Sequence, residues 1–319
     1  MKEFSIIDEY FKKLATDFYA SQNLNDDAAR ISLKNDEELI VSKDLMVEDV
    51  HFLKKDGAKK IAAKLLLSNL SDLAASGAKP VYYMLGFSKN SDEKFVAEFC
   101  QSLKIIQEEY GISLIGGDIV ACKDKLFFSL TIFGIAKKDK ILSRKNAIAG
   151  DLIFVSGQVG AAYIGLLVNL KKKQITTFSN EEKKYFLDKH FFPKPQIKLG
   201  QELVKQNLSR CAIDISDGFL ADLNHICQTA KLDAIIFKEK IPLATNKIDF
   251  KELISGGDDY ELIFTCKKMD ENKILNLAKK LKISLTCVGS FKKPLQSPKI
   301  ALLDEKNKEI KIEKYGYEH

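Results

Sequence analysis

The sequence predicts a two-domain protein of the α/β (α+β) class. The chain is 319 residues long, more than one hydrophobic core usually serves. Both halves alternate short apolar, β-branched runs with longer stretches whose apolar residues recur every three or four positions. No short-period repeat runs through it, which argues against a solenoid.

The elements follow in order. The opening MKEFSIIDEYFKKLA reads as a helix; its scattered acids do not suit a signal peptide. Asn23 to Ala29 holds adjacent acids and reads as a solvated turn. Glu38 to Val47 reads as a strand with Ser42 and Asp44 on one face and Val41 and Leu45 on the other. Glu48 to Phe52 is a loop. A helix is expected from Ala58, with Ile61, Leu65, Leu66 and Leu70 in helical spacing and Gly77 at its C-cap. Strand Pro80 to Ser88, helix Asp92 to Tyr110, short strand Ile112 to Ile115 ending in Gly116-Gly117-Asp118, and strand Lys125 to Ala136 come next. The aperiodic stretch around Arg144 marks the domain boundary, giving residues 1–145 and 146–319. In the second half, Asp151 to Gly157 is a strand, followed by a helix to about Leu170. The tract KKKQITTFSNEEKKY reads as a polar loop or helix edge, and Pro193 and Pro195 precede another helix. Cys211 to Gly218 reads as a strand ending in acids that feeds the helix FLADLNHICQTA. Ser255 to Phe264 puts a glycine pair before acids and a strand.

Composition narrows the class of function. Hydrophobic residues make up 45% and charged residues 29%, an ordinary globular balance. The net charge of +6 is spread over isolated lysines; with no Trp and no aromatic–basic interleaving, it suits anionic metabolites and not nucleic acid. No apolar stretch is long enough to span a bilayer. The six cysteines lie far apart without a CxxC pair, which suits reduced thiols in the cytoplasm. Four histidines without HExxH argue against zinc.

The acids carry the functional signal. Asp72 sits in LSDLAASG with no Lys or Arg within a turn, and an ionised carboxylate in such company needs a cation. Asp27, Asp44, Asp118, Asp214 and Asp217 share its habit of lying at element ends or beside Gly and small residues; Asp258 and Asp259 follow the same pattern. Taken singly, each also reads as a surface acid or a helix cap. Gathered in space, such carboxylates would repel unless divalent cations lay between them, and Mg²⁺ takes a few carboxylates while bridging substrate phosphates. Ser42 and Ser216 add neutral oxygens, and Arg144 offers a phosphate fork. The GxxxxGK[ST] loop, the kinase Gly-rich loop and the dinucleotide fingerprint are all absent, so the common nucleotide-binding motifs do not apply.

Read in order, NDDAA, SKDLMVEDVHF, SNLSDLAASGA, LIGGD, LSR, AIDISDG, SGGDDYEL and the terminal YGYEH resemble the thiamine-monophosphate kinase family over nearly the whole chain. The resemblance implies an aminoimidazole ribonucleotide synthetase-like fold, with an N-terminal ATP/metal-binding and dimerisation domain (1–145) forming a β-barrel across a homodimer. A C-terminal α/β domain (146–319) would complete it. It implies direct in-line transfer of the ATP γ-phosphoryl to thiamine monophosphate, assisted by several Mg²⁺ ions and without a general base. Asp27, Ser42, Asp44, Asp72, Asp118, Asp214 and Asp217 would be metal ligands. Gly117, Asp118, Arg144 and Ser216 would contact ATP, and His51, Asp258 and Tyr315 or Tyr317 would meet thiamine monophosphate. Departures from the family pattern are Asn25 for Gly, Lys43 for Thr or Ser, Asp49 for Gly and Asp258 for Glu. Lys43 in particular is expected to bring a cation beside the metals. Selenophosphate synthetases, related in fold, would be expected to carry a reactive Cys near the N-terminus, and hydrogenase-maturation dehydratases a C-terminal Cys; this sequence has neither.

Overall fold

The computed structural model describes residues 3–89 and 92–317; Glu318 and His319 of the terminal motif lie outside them. The chain divides into two compact units, Met1–Leu73 with Ala78–Asp139, and Ala74–Gly77 with Lys140–His319.

The first unit contains α1 (Glu3–Ile6, continuing as a π-turn to Phe11), α2 (Phe18–Ser21), β1 (Glu37–Val47), α3 (Ala58–Ser76), β2 (Lys79–Lys89), α4 (Glu93–Tyr110), β3 (Ser113–Ala121) and β4 (Phe127–Lys137). Its four-stranded sheet has the order β1-β4-β2-β3, antiparallel except for the β2–β3 pair. Helix α4 starts where Asp92 Oδ1 accepts from Phe95 N at 2.9 Å, and it ends at Gly111 with φ +65°. Its Phe95 and Phe99 pack on Phe87 and Phe128 of the sheet. Helix α3 ends at Gly77, whose φ of +72° is the left-handed cap the sequence predicts. Its amphipathic pattern is weaker than expected because every residue from Ile61 to Ser71 is buried.

One departure from expectation concerns a strand. The Gly116-Gly117-Asp118 run does not terminate a strand. It lies inside β3, just past a register shift between Tyr83 and Met84 of β2. A Cβ on Gly117 would sit 2.1 Å from Leu85 O, so the close strand approach requires glycine there. Within the chain the sheet is open, with β1 and β3 as its edges among the described residues.

The second unit contains β5 (Leu152–Ser156), α5 (Ala161–Asn169), α6 (Asn180–Phe191), α7 (Ile197–Lys205), β6 (Ala212–Asp214), α8 (Phe219–Ala230), β7 (Asp233–Phe237), α9 (Phe250–Ser255), β8 (Leu262–Cys266), α10 (Glu271–Leu281), β9 (Leu285–Lys292) and β10 (Ile300–Leu303). The sheet order is β10-β7-β9-β5-β8-β6. Ile213, Leu220, Leu223, Ile226, Ile263 and Val288 build its main core against α8. The tract expected as a polar loop or helix edge carries a 3₁₀ turn (Lys173–Thr177) and the first half of α6. Ser179 Oγ accepts from Glu182 N while Glu182 Oε2 accepts from Ser179 N, a capping box that the S-x-x-E spacing encodes.

Candidate functional site

In the first unit, β1 and α3 bring Ser42, Asp44 and Asp72 together. Strand alternation turns Ser42 and Asp44 to the same face. Ser42 Oγ donates to Asp72 Oδ2 at 2.6 Å. Asn69, one turn before Asp72, is fully buried; its Nδ2 donates to Leu65 O at 2.7 Å and its Oδ1 accepts from Asp44 N at 3.2 Å. Asn69 therefore locks α3 to β1 at the level of the acids. Burial pushes the Asp44 carboxyl up to about 7, the Asp72 charge adds to the rise, and a hydrogen bond from Ser68 opposes it. Two neighbouring acids, one touched by Ser42 and the other by Ser68, form an all-oxygen donor set that fits Mg²⁺ better than a softer metal.

Lys43 does not join them. Its Nζ donates to Ser129 Oγ at 2.6 Å on the opposite face of the sheet. The expectation that Lys43 puts a cation beside the metals is thus corrected by the same period-two geometry that gathers Ser42 and Asp44.

Asp27 and Asp118 line a second feature of this unit, a cavity of about 160 Å³ that Asp26, Gly117, Phe11 and Leu24 also border. Both acids are exposed. Asn25 has φ −110°, a conformation that any residue adopts, so glycine is not required there. Asp49 has φ +67°, in the left-handed region that favours glycine, and Lys125 pairs with it at 3.2 Å. His51, on the loop after β1, accepts from Val47 N at 3.1 Å through Nδ1, so its neutral form carries the proton on Nε2.

In the second unit, β6 ends at buried Asp214 and runs into the turn Ser216-Asp217-Gly218 before α8. Gly218 has φ +130°, and a Cβ there would lie 2.9 Å from Ser255 O. Gly257 is pressed so close to Ser216 O that a Cβ would fall at 2.2 Å. These approaches seat the loop bearing Asp258 beside the turn, and Asp258 N donates to Ser216 O at 2.8 Å. Asp258 Oδ1 accepts from Tyr260 Oη at 3.1 Å, and its Oδ2 lies 3.6 Å from Nδ1 of buried His190. Tyr317 N donates to Asp217 O at 2.9 Å, bringing the C-terminal tail to the same place. Tyr315 instead packs against the core, whereas Tyr317 is 51% exposed. Exposed Arg144 lies on a 3₁₀ turn packed against α8.

Some acids serve the fold. Asp259 accepts from Gly160 N and Ala162 N at the start of α5, at 2.6 and 2.9 Å, and burial pushes it up to about 8. Glu261 accepts from Ser156 Oγ and Gln196 Nε2. Grouping Asp259 with the site acids is therefore corrected: the fold uses it as a helix cap. Nor does Asp214 or Asp217 cap α8 with its side chain. The sequence assigns no role to Asn69, His190, Tyr260 or Asp222. Ligand atoms of Asp217, Asp222 and His225 lie within 4.8 Å of one another.

Comparison with known proteins agrees with these motifs. The AIR synthase related protein N-terminal domain matches residues 25–136, and the C-terminal domain of the same group matches 149–293. The thiamine-monophosphate kinase of Buchnera aphidicola subsp. Acyrthosiphon pisum is 35% identical over 326 residues, covering 99% of this chain and 98% of that one. The chain belongs to the thiamine-monophosphate kinase family. The crystal structure of the family member from Stenotrophomonas maltophilia matches with a TM-score of 0.82 at 29% identity, covering 94% of this chain and 96% of that one. AaThiL complexed with AMPPCP and TMP matches with a TM-score of 0.75 at 24% identity, covering 99% and 97%, a likeness that shows the shared fold.

Proposed function

We propose that this chain transfers the γ-phosphoryl group of ATP to the phosphate of thiamine monophosphate, giving thiamine diphosphate and ADP. The observation that carries the reading is the Ser42–Asp44–Asp72 oxygen cluster, held in place by Asn69, in a chain of this family. AaThiL, with the same fold, binds an ATP analogue together with TMP.

Asp27, Ser42, Asp44, Asp72, Asp118, Asp214 and Asp217 hold Mg²⁺ in this reading. Bound there, Mg²⁺ neutralises phosphate charge and orients the groups in line. Gly117, Asp118, Arg144 and Ser216 contact ATP; Gly117 is exposed and offers its backbone to the phosphates. His51 presents its Nε2–H to thiamine monophosphate, and Asp258, steadied by Tyr260, and exposed Tyr317 meet the same substrate. Tyr315, half-buried against the core, steadies the tail from which Tyr317 projects. The acceptor phosphate is already anionic, so positioning and charge neutralisation suffice without a general base.

Residues 1–145 form the ATP/metal-binding and dimerisation domain of this proposal, and 146–319 the C-terminal α/β domain. A homodimer closes the open sheet of the first unit into a barrel. Support comes from its uncovered face, where Val41 and Leu45 are 52% and 53% exposed beside half-buried Phe133 and Met84. The six unpaired thiols suit the cytoplasm. Incubation with MgATP and thiamine monophosphate, followed by chromatography, tests the reaction. Thiamine diphosphate should form from the monophosphate, not from thiamine, and EDTA should abolish it; ATP consumption without this product would refute the assignment.

A further inference from the structure

One oxygen of Asp222 gathers three consecutive main-chain amides. Its Oδ2 accepts from Ser216 N at 3.0 Å, from Asp217 N at 3.1 Å and from Gly218 N at 3.1 Å. The residue lies in the first turn of α8 and is 2% exposed. A helix-capping side chain ordinarily precedes its helix and accepts from the helix's own first amides. Asp222 points the other way, to amides that lie before Phe219, where α8 begins. The carbonyls of the same three residues are also engaged: Ser216 O accepts from Asp258 N, Asp217 O from Tyr317 N, and Gly218 O from Asp222 N. Every backbone polar group of the turn is thus satisfied, and one Asp222 oxygen is the acceptor for all three amides.

We infer that Asp222 is a positioning residue for phosphoryl transfer. It fixes the turn from which Ser216 and Asp217 are presented, without itself touching ATP. The inference rests on the proposed reading that Ser216 meets ATP and Asp217 its metal. A turn with no free backbone group has one conformation, which is what a metal ligand and a phosphate contact must share to act together. The acceptor oxygen carries this role, so an amide oxygen in its place should preserve much of it: hydrogen bonds to an ionised acceptor are roughly twice as strong as neutral ones.

Three variants test the inference, Asp222→Asn, Asp222→Ala and Asp217→Asn. Turnover, thermal unfolding and calorimetric affinity for Mn²⁺–ADP are measured well below the unfolding transition. Asp222→Asn should weaken Mn²⁺–ADP binding and lower kcat by roughly threefold to tenfold, and Asp222→Ala by more than about tenfold, with KM for thiamine monophosphate little changed. Wild-type affinity and kcat in Asp222→Asn, even with lowered thermal stability, would mean a purely structural role and overturn the inference. Equal losses in Asp222→Asn and Asp222→Ala would overturn it too, because they would assign the effect to charge. If Asp222→Ala does not fold, Asp222→Asn alone decides. Asp217→Asn separates the two levels. Lost turnover there with an unaffected Asp222→Asn leaves the functional reading standing and removes the inference, whereas unaffected turnover in Asp217→Asn removes both.

Discussion

Lys43 Nζ donates to Ser129 Oγ at 2.6 Å, and this bond holds the lysine on the face of β1 opposite Asp44. A cation one residue from a metal ligand is harmless when strand alternation sends the two side chains apart. Lys43→Thr should therefore leave kcat within about twofold, since surface changes remote from the chemistry rarely cost more. A gain of tenfold or more on that substitution would show that the lysine reaches the carboxylates.

Asp44 links stability to pH. Its ordinary value of 3.8 rises to about 7 in the fold, through burial first and the Asp72 charge second. An acid with a raised folded value stabilises the fold while protonated; that contribution is full below about pH 4 and is lost as pH rises through about 7. The metal-free protein should accordingly melt lower at about pH 8 than at about pH 6. Asp44→Asn should recover on the order of 1–2 kcal/mol of the loss at the higher pH while lowering turnover roughly hundredfold or more. In the proposed reading Mg²⁺ acts with the opposite sign: binding the ionised pair, it should confer a stabilisation that grows between those two pH values. Calorimetric melting of both proteins, with and without Mg²⁺, checks each sign.

Tyr315 and Tyr317 should separate cleanly. Tyr315 packs on the core of the second unit, so Tyr315→Ala should lower the melting temperature with a cost of about 2–4 kcal/mol. Tyr317 is 51% exposed, so Tyr317→Ala should leave melting nearly unchanged and raise KM for thiamine monophosphate roughly tenfold. Paired melting curves and kinetics distinguish them; equal behaviour would undo the separation.

Gly117→Ala probes the backbone of β3. The new methyl would meet Leu85 O at 2.1 Å, and strand β2 would have to shift. We expect a loss of about 2–3 kcal/mol in stability, read from denaturant unfolding, together with weaker ATP binding.

Much of this architecture was legible because apolar periodicity and glycine caps are local. Helix α4 announced itself through its apolar spacing from Asp92 to Tyr110, and α3 through Gly77. What stayed hidden depends on contacts between residues distant in the chain. The glycine pair of β3 reads as a turn until a neighbouring strand is seen at 2.1 Å from where a side chain would start. Helix α6 was masked by its lysines and glutamates, although its capping box was written in Ser179 and Glu182. In the site, isolated aspartates were conspicuous, but sequence cannot separate Asp258, which adjoins the Ser216 turn, from Asp259, which caps α5. Asn69 and Asp222, which hold site residues in place, carry no local signature, since their partners are backbone amides and carbonyls.

Asp72→Asn tests the central claim most directly. The substitution keeps the size of the side chain and an acceptor for Ser42 Oγ, but removes the charge that Asp44 faces. Turnover of thiamine monophosphate with MgATP should fall roughly hundredfold or more, while circular dichroism and melting show an intact and no less stable fold. Wild-type turnover in that folded variant would contradict the account of Asp44 and Asp72 as a metal-holding pair.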